Sequence, residues 1–171
     1  VVKQSENVVP GMILESTGEI WYKPTHATYE TALPKCALAS TDGSKTVFGV
    51  VAGYPTTEAG EYIHNGFLMR PSFEAYARHA GIENDEWNIG TMSLGEGVVW
   101  VTNINGDIEN GDFIESSVVT GCGRKQNDDI LRSKTVAKCT ESIDWSSVTD
   151  TITHNGVEYK KVLVACTFHC G

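Results

Sequence analysis

One short pattern occurs twice in this chain, and this internal repeat limits the possible folds more than any other sequence feature. Residues 9–17 read VPGMILEST and residues 109–117 read ENGDFIESS, so both have a glycine-led turn and then an alternating strand ending in Glu and hydroxyl residues. The string SKTV follows in each half, at residues 44–47 and 133–136. This order of turn, strand, loop and strand indicates a duplicated β module rather than a catalytic centre.

Short β-branched and aromatic runs between turn dipeptides predict a mainly β fold. Asn-Gly and Asp-Gly pairs supply the positive φ angles of tight hairpins, and five occur: Asp42-Gly43, Asn65-Gly66, Asn105-Gly106, Asn110-Gly111 and Asn155-Gly156. The strands are predicted at about 11–15, 36–39, 46–52, 98–104, 112–116, 134–140 and 160–168. We expect two related β units in a compact body resembling a β-barrel or β-clip.

The chain is expected to form a single β-rich domain over residues 1–171. Its predicted parts are repeat one (about 8–55), an insert (54–88), repeat two (about 95–142) and a C-terminal hairpin (143–171). Residues 71–80, PSFEAYARHA, place apolar side chains on one face at helical spacing, which predicts one short helix in the insert. We expect the insert to lie outside the β body.

The run VVWVTNI at residues 98–104 is the strongest strand signal. Its apolar length predicts burial on both faces, or on one face against a partner chain. We therefore predict that Val98, Trp100, Phe113 and Val136 lie in the core or at a trimer interface.

The overall composition argues against two classes of partner. A formal net charge of -9 disfavours a face that neutralises nucleic-acid phosphates. No apolar run reaches the length of a membrane-spanning helix, so membrane insertion is not expected. The five cysteines are an odd number without the dense spacing of a disulfide scaffold, which favours buried free thiols formed in a reducing cell, with one or two disulfides as the alternative.

Residues 95–141 carry a resemblance to a known module, in GEGVVWVTNINGDIENGDFIESSVVTGCGRKQNDD followed by SKTVAKCTE. This stretch resembles a β domain near the C-terminal ends of phage and large-virus fibre proteins. It is also similar to the self-cleaving intramolecular chaperone domains of phage neck appendages and tail spikes. Residues 9–55 match more loosely, and the insert falls outside the resemblance.

The resemblance implies a homotrimeric, virion-associated domain of a fibre or surface appendage, assembled in the host cytoplasm. Such domains help three chains fold and align, and some then cut themselves from the fibre. The Ser-Asp-x-Arg-x-Lys cleavage string and the long helices of the self-cleaving type do not occur in this sequence. An autoproteolytic chaperone domain and a glycan- or receptor-binding fibre tip are the two alternative functions.

Several residues have side chains that could form a binding site or a self-cleavage site. Trp21 and Tyr22, in the stretch GEIWYKPTHATYE, are the best candidates for contact with a host glycan or receptor. Ser116 beside Glu115 could take part in self-cleavage, but the same pair in repeat one favours a structural role.

Two further groups could hold a metal ion, but each lacks part of a known ligand pattern. The residues Cys166, His169 and Cys170 have no second ligand pair for zinc. The run 127–129, Asn-Asp-Asp, has no calcium-loop pattern around it. We predict no catalytic residue, metal or cofactor.

Overall fold

The computed structural model describes residues 1–3, 6–21, 33–53, 62–64, 67–69, 86–87 and 89–170. These residues form a mainly β structure with two larger sheets and two short strand pairs. The strands are β1 Val2–Lys3, β2 Ile13–Trp21, β3 Leu33–Leu38, β4 Val47–Gly53, β5 Tyr62–His64, β6 Phe67–Met69, β7 Glu86–Trp87, β8 Gly90–Met92, β9 Leu94–Thr102, β10 Phe113–Ser116, β11 Gly123–Lys125, β12 Thr135–Cys139, β13 Thr151–His154 and β14 Val157–His169.

The sequence repeat corresponds to two three-stranded units with the same pairing. In unit one, β2 lies between β3 and β4, and in unit two, β10 lies between β11 and β12, with every pair antiparallel. A β-bulge interrupts the pairing of β2 with β4 between Leu14 and Glu15. The pairing of β10 with β12 is interrupted between Ile114 and Glu115. The central strands of both units therefore bend at equivalent residues.

Backbone hydrogen bonds around the glycine-led turns also correspond. Gly11 N donates to Val51 O over 2.8 Å, and Gly111 N donates to Cys139 O over 2.9 Å. Both glycines have positive φ, 87° and 97°, a conformation that Gly adopts at little cost. Each turn thus joins the start of its central strand to the end of its third strand.

The repeated SKTV strings are not equivalent residue by residue. Val47 lies opposite Glu15 in unit one, whereas Thr135 lies opposite Glu115 in unit two. Val47 and Thr135 therefore occupy equivalent positions opposite the two glutamates. Because Val47 is the fourth residue of its string and Thr135 is the third, the two strings are shifted by one residue relative to their strands. The register of each strand against its neighbour follows the pairing and the position of the bulge, and it does not follow the repeated SKTV sequence.

The larger sheet is assembled around β14, the longest strand. β14 pairs with β9 over nine residue pairs and also with β12, while β10 and β11 link β12 back to β9. The five pairings form a circuit, and β13 joins β14 through a hairpin at Asn155 and Gly156. This hairpin lies within the predicted C-terminal segment 143–171, and φ is positive at both turn residues.

The smaller sheet has the order β3-β2-β4-β8, and two short pairs lie beside it. β5 and β6 pair antiparallel with His64 opposite Phe67, and β7 pairs with β1 at the start of the chain. The predicted helix at 71–80 lies outside the described residues. Among the described residues, no helix is long and apolar enough to cross a membrane.

Two groups of buried apolar side chains hold the sheets together. The larger group packs against unit two, β9 and β14, and also includes Ile13, Ala39 and Val50 of unit one. The smaller group lies within unit one and around β1. Because residues of unit one belong to the larger group, burial of apolar area couples the two units.

The strand that contains Val98 is longer than predicted and is not buried on both faces. Val99 and Val101 are fully buried, but Val98 is 45% exposed. Successive side chains of a strand point to opposite faces, so Val98 points away from the core formed by its neighbours. The prediction of burial on both faces within the chain, and with it a core position for Val98, is wrong. Contact with a partner chain stays a prediction.

We expect Gly49→Ala to destabilise the fold. A Cβ at Gly49 would lie 2.9 Å from the main-chain oxygen of Met92 in β8, which cannot move without breaking the sheet. Crowding of this kind costs about 1–3 kcal/mol. Without the contact, alanine would stabilise the strand by up to about 1 kcal/mol. The sign of the change in unfolding free energy, measured with urea, is therefore the test, and a stabilised variant would contradict the close approach of β8.

Candidate functional site

The outward side of the paired strands β9 and β14 carries a row of apolar side chains. Leu94 is 72% exposed and Leu163 is 37% exposed, in addition to Val98. The pairing places Val98 opposite Ala165 and Trp100 opposite Leu163. Leu94, Val98, Trp100, Leu163 and Ala165 therefore share one side of the pair, with Glu96 and Thr167 between Leu94 and Val98, and we call the surface of these five apolar residues the β9–β14 face.

Trp100 is half-buried, and its partners hold it in place on this face. Its Nε1 donates to Pro10 O over 3.1 Å, and its backbone N donates to Gly11 O over 2.9 Å. Lys161 Nζ lies 4.3 Å from the centroid of the indole ring, a cation–π distance. The turn of unit one thus anchors β9, so this part of the β9–β14 face is already ordered in the isolated chain.

An apolar cleft continues the face toward the smaller sheet. It has a volume of about 150 Å³ and lies between β4 and β9. Its lining includes Pro10, Val51, Met92, Val98 and Phe168. Val98 therefore belongs both to the exposed row and to the wall of the cleft.

A group of charges around one buried carboxylate joins the two units on another part of the molecule. Glu115 is fully buried, and its Oε1 accepts from Arg124 Nε at 3.0 Å and Nη2 at 2.8 Å. Lys134 Nζ forms an ion pair with Glu115 Oε2 at 2.5 Å. Arg124 Nη1 also pairs with Asp42 of unit one at 2.8 Å. We call these four side chains the charged joint.

Ser116 fastens the same loop of unit one to unit two. Its Oγ donates to Thr41 O over 2.8 Å and accepts from Ser44 N over 2.9 Å. Gly43 N also donates to Ser116 O over 2.9 Å. The hydroxyl considered for self-cleavage is therefore engaged by two backbone groups, and in this position it serves to join the units.

The C-terminal cysteines and His169 are separated by the alternation of the last strand. Cys166 and Cys170 are buried, whereas His169 is half-buried on the opposite side, edge-on to Phe113 with 6.2 Å between ring centroids. Within the described ranges, no group of three or more His, Cys, Asp or Glu side chains could hold a metal ion.

Asp128, the second candidate for cation binding, has protein donors around its carboxylate. Arg132 Nε donates to it over 3.0 Å, and the hydrogen bond from Arg132 is the main cause that lowers the pKa of Asp128. Gln126 and the backbone N of Ile130 also donate to Oδ1. The carboxylate therefore accepts hydrogen bonds from within its own turn, as Asp side chains commonly do in turns.

The residues singled out from the sequence occupy several different environments. Val136 is fully buried in the larger core group, and Phe113 is half-buried. Trp21 lies half-buried at the end of β2, opposite Leu33. Tyr22 lies outside the described residues, so the predicted aromatic pair cannot be placed as a pair.

Sequence reasoning missed Leu94, Leu163 and the pairing of Glu115 with Arg124. Leu163 could have been found from the alternation of the C-terminal run, since Val164 and Cys166 face the core and leave the odd-numbered positions outside. The partners of Glu115 lie 9 and 19 residues away in sequence, and no local pattern joins them.

Comparison with known proteins gives no match to this chain among family models, curated proteins or solved structures. The resemblance of residues 95–141 to viral fibre domains therefore stays a prediction, and the functional argument depends on the residues described above.

We expect Arg124→Ala to destabilise the fold far more than Arg132→Ala. Loss of Arg124 leaves the buried carboxylate of Glu115 without its main partner, and breaking a buried pair typically costs about 3–5 kcal/mol. Arg132 pairs with Asp128 at the surface, where an ion pair contributes about 0–1 kcal/mol. Urea unfolding of both variants measures the difference. Equal losses would contradict the role of the charged joint.

Proposed function

We propose that this chain is a structural, homotrimer-forming C-terminal domain of a viral fibre or surface appendage, which helps three chains fold and align. The observation that carries the proposal is the β9–β14 face, an ordered surface on which the described part of the chain leaves Leu94, Val98 and Leu163 exposed. Contiguous apolar patches of this kind mark interaction sites on soluble proteins.

One property of the face favours a second copy of the chain as its partner. Its side chains lie on two paired and anchored strands, so little conformational entropy is lost when the face is covered. Each copy carries a formal charge of -9, so copies repel one another at long range, and the apolar area that the face buries has to outweigh this repulsion.

The architecture is also consistent with a trimer-forming body. The circuit of pairings through β9, β10, β11, β12 and β14 supports a compact, barrel-like unit with few open sheet edges. Three such units around an axis can each turn one β9–β14 face inward. The location that we propose is the virion, after assembly in the reducing cytoplasm of the host, which is compatible with five free thiols.

Light scattering tests the proposal directly. We expect the chain to have three times its monomer mass of 18.6 kDa, and Val98→Asp or Leu163→Asp to yield monomers, because either change places a charge in the apolar contact. Val157→Asp is the matched control, since Val157 is exposed at the tip of the C-terminal hairpin. A wild-type monomer at high concentration, or trimers of both face variants, would refute the proposal.

Glycan binding is a second candidate function, and one groove favours it. This groove has a volume of about 330 Å³, and its lining includes Trp100, Ser147, Thr149, Asp150 and Lys161. An aromatic ring beside hydroxyl and charged groups suits a sugar, which offers both apolar and hydroxyl surfaces. Release of the domain by self-cleavage stays a prediction from the resemblance alone.

A printed glycan array tests this second function. If the groove binds a glycan, Asp150→Ala should lower the signal about tenfold, since one lost hydrogen bond to a charged group costs roughly 1.5 kcal/mol. Asp107→Ala, at an exposed site elsewhere, should leave the signal unchanged. Loss of signal with Trp21→Ala instead would move the site to the end of β2, and absence of any bound glycan would reject this function.

A further inference from the structure

Two buried cysteines lie directly opposite each other on neighbouring strands. The antiparallel pairing of β12 with β14 places Cys139 opposite Cys166. In the adjacent pair, Thr140 N donates to Ala165 O over 2.9 Å, as in a hydrogen-bonded pair, while Ala165 N donates to Glu141 Oε1 over 2.7 Å. Hydrogen-bonded and non-hydrogen-bonded pairs alternate along an antiparallel ladder. Cys139 and Cys166 are therefore a non-hydrogen-bonded pair, the kind in which the two strands approach most closely.

A second hydrogen bond supports this assignment independently. Cys139 N donates to Asp112 O over 2.9 Å, which directs the backbone of Cys139 toward β10 and away from β14. The Cα atoms of a non-hydrogen-bonded pair are roughly 4.5 Å apart. Disulfides connect Cα atoms that are about 4.4–6.8 Å apart. The backbone therefore holds the two residues at a separation that a disulfide can span.

The side chains also point the same way. Cys139 and Cys166 are both buried in the larger core group, on the inner face of the sheet, and both thiols are free. The pairing places no other cysteine opposite either residue. Cys170 is buried further along, where its Sγ contacts Val136 O at 3.3 Å.

We propose that Cys139 and Cys166 form a modification site, at which a disulfide-exchange oxidant links the two thiols in a cross-strand disulfide. One thiolate attacks a small-molecule disulfide such as oxidised glutathione and releases one reduced glutathione. The second thiolate then attacks the mixed disulfide and releases another. The two cysteines lose two protons and two electrons in total, and the glutathione disulfide gains them as two thiols. This proposal does not depend on the proposed trimer.

Burial determines when the bond forms. Burial raises the pKa of Cys166 to about 12, and burial is also the main cause that raises the pKa of Cys139. Since only the thiolate attacks a disulfide, the folded chain reacts slowly at neutral pH. Oxidation is expected mainly when the C-terminal strand opens locally outside a reducing compartment, or during refolding with an added oxidant, and the completed bond is then shielded from reductants.

The bond would connect unit two covalently to β14, the strand that contributes Leu163 and Ala165 to the β9–β14 face. It would close a loop of the chain between β12 and β14, and a bond across a loop of this size restricts the unfolded chain. We expect the oxidised chain to have a Tm about 5–10 °C above that of the reduced chain.

Refolding from denaturant in a buffer of reduced and oxidised glutathione tests the proposal, because unfolding makes every thiol accessible. We expect an intact mass lower by two hydrogens, a Cys139–Cys166 link in the peptide map and the higher Tm. Cys139→Ala should remove both the link and the Tm difference. Cys170→Ala and Cys122→Ala should retain them.

Three outcomes would overturn the proposal. These are a link that joins other cysteines, the absence of any link in wild-type chain refolded with the oxidant, and a linked chain whose Tm does not exceed that of the reduced chain. Because the wild-type chain alone gives these results, the test does not depend on the folding of a variant. Oxidation of the native chain at the same rate as the refolding chain would contradict the protection by burial.

Discussion

The buried carboxylate of Glu115 is the constraint on which the arrangement of the two units depends. A charge out of water is tolerated only with ionic partners and hydrogen bonds, and Glu115 has Arg124 and Lys134 of its own unit. Arg124 also binds Asp42 in the loop of unit one. The loop covers the carboxylate, and the same loop binds Ser116 through backbone groups. The contacts of this loop with Arg124 and Ser116 therefore couple the structure of unit two to that of unit one.

The equivalent glutamate shows how two copies of one pattern came to differ. Glu15 occupies the place of Glu115 in unit one but is only half-buried, and Ala37 lies opposite it where unit two has Arg124. A half-exposed carboxylate retains water as its partner, so it needs no arginine. The glutamate at the same position of the repeated strand is thus partly exposed in unit one and makes a buried ionic contact in unit two.

The two sides of β9 and β14 in the large sheet have different roles, since the inner side stabilises the fold and the outer side carries the contact surface that we propose. Val99, Val101, Val164 and Cys166 fill the core from the inner side of β9 and β14, while the outer side carries the apolar β9–β14 face. Long, continuous pairing between the two strands makes both sides rigid. A surface held by the core in this way can contact a partner without first folding, and this supports our proposal that it is the contact between copies.

The sequence by itself determined the duplicated strands, the C-terminal hairpin and the mainly β class, because turn dipeptides and side-chain alternation are local properties. It also predicted Val136 as a core or interface position, and Val136 is fully buried. Only the tertiary structure decided which side of the strand of Val98 is exposed, which residues hold Glu115, and that Cys139 lies opposite Cys166. These depend on pairing between strands far apart in sequence, and register is set by bulges and long-range contacts that no short stretch of sequence records.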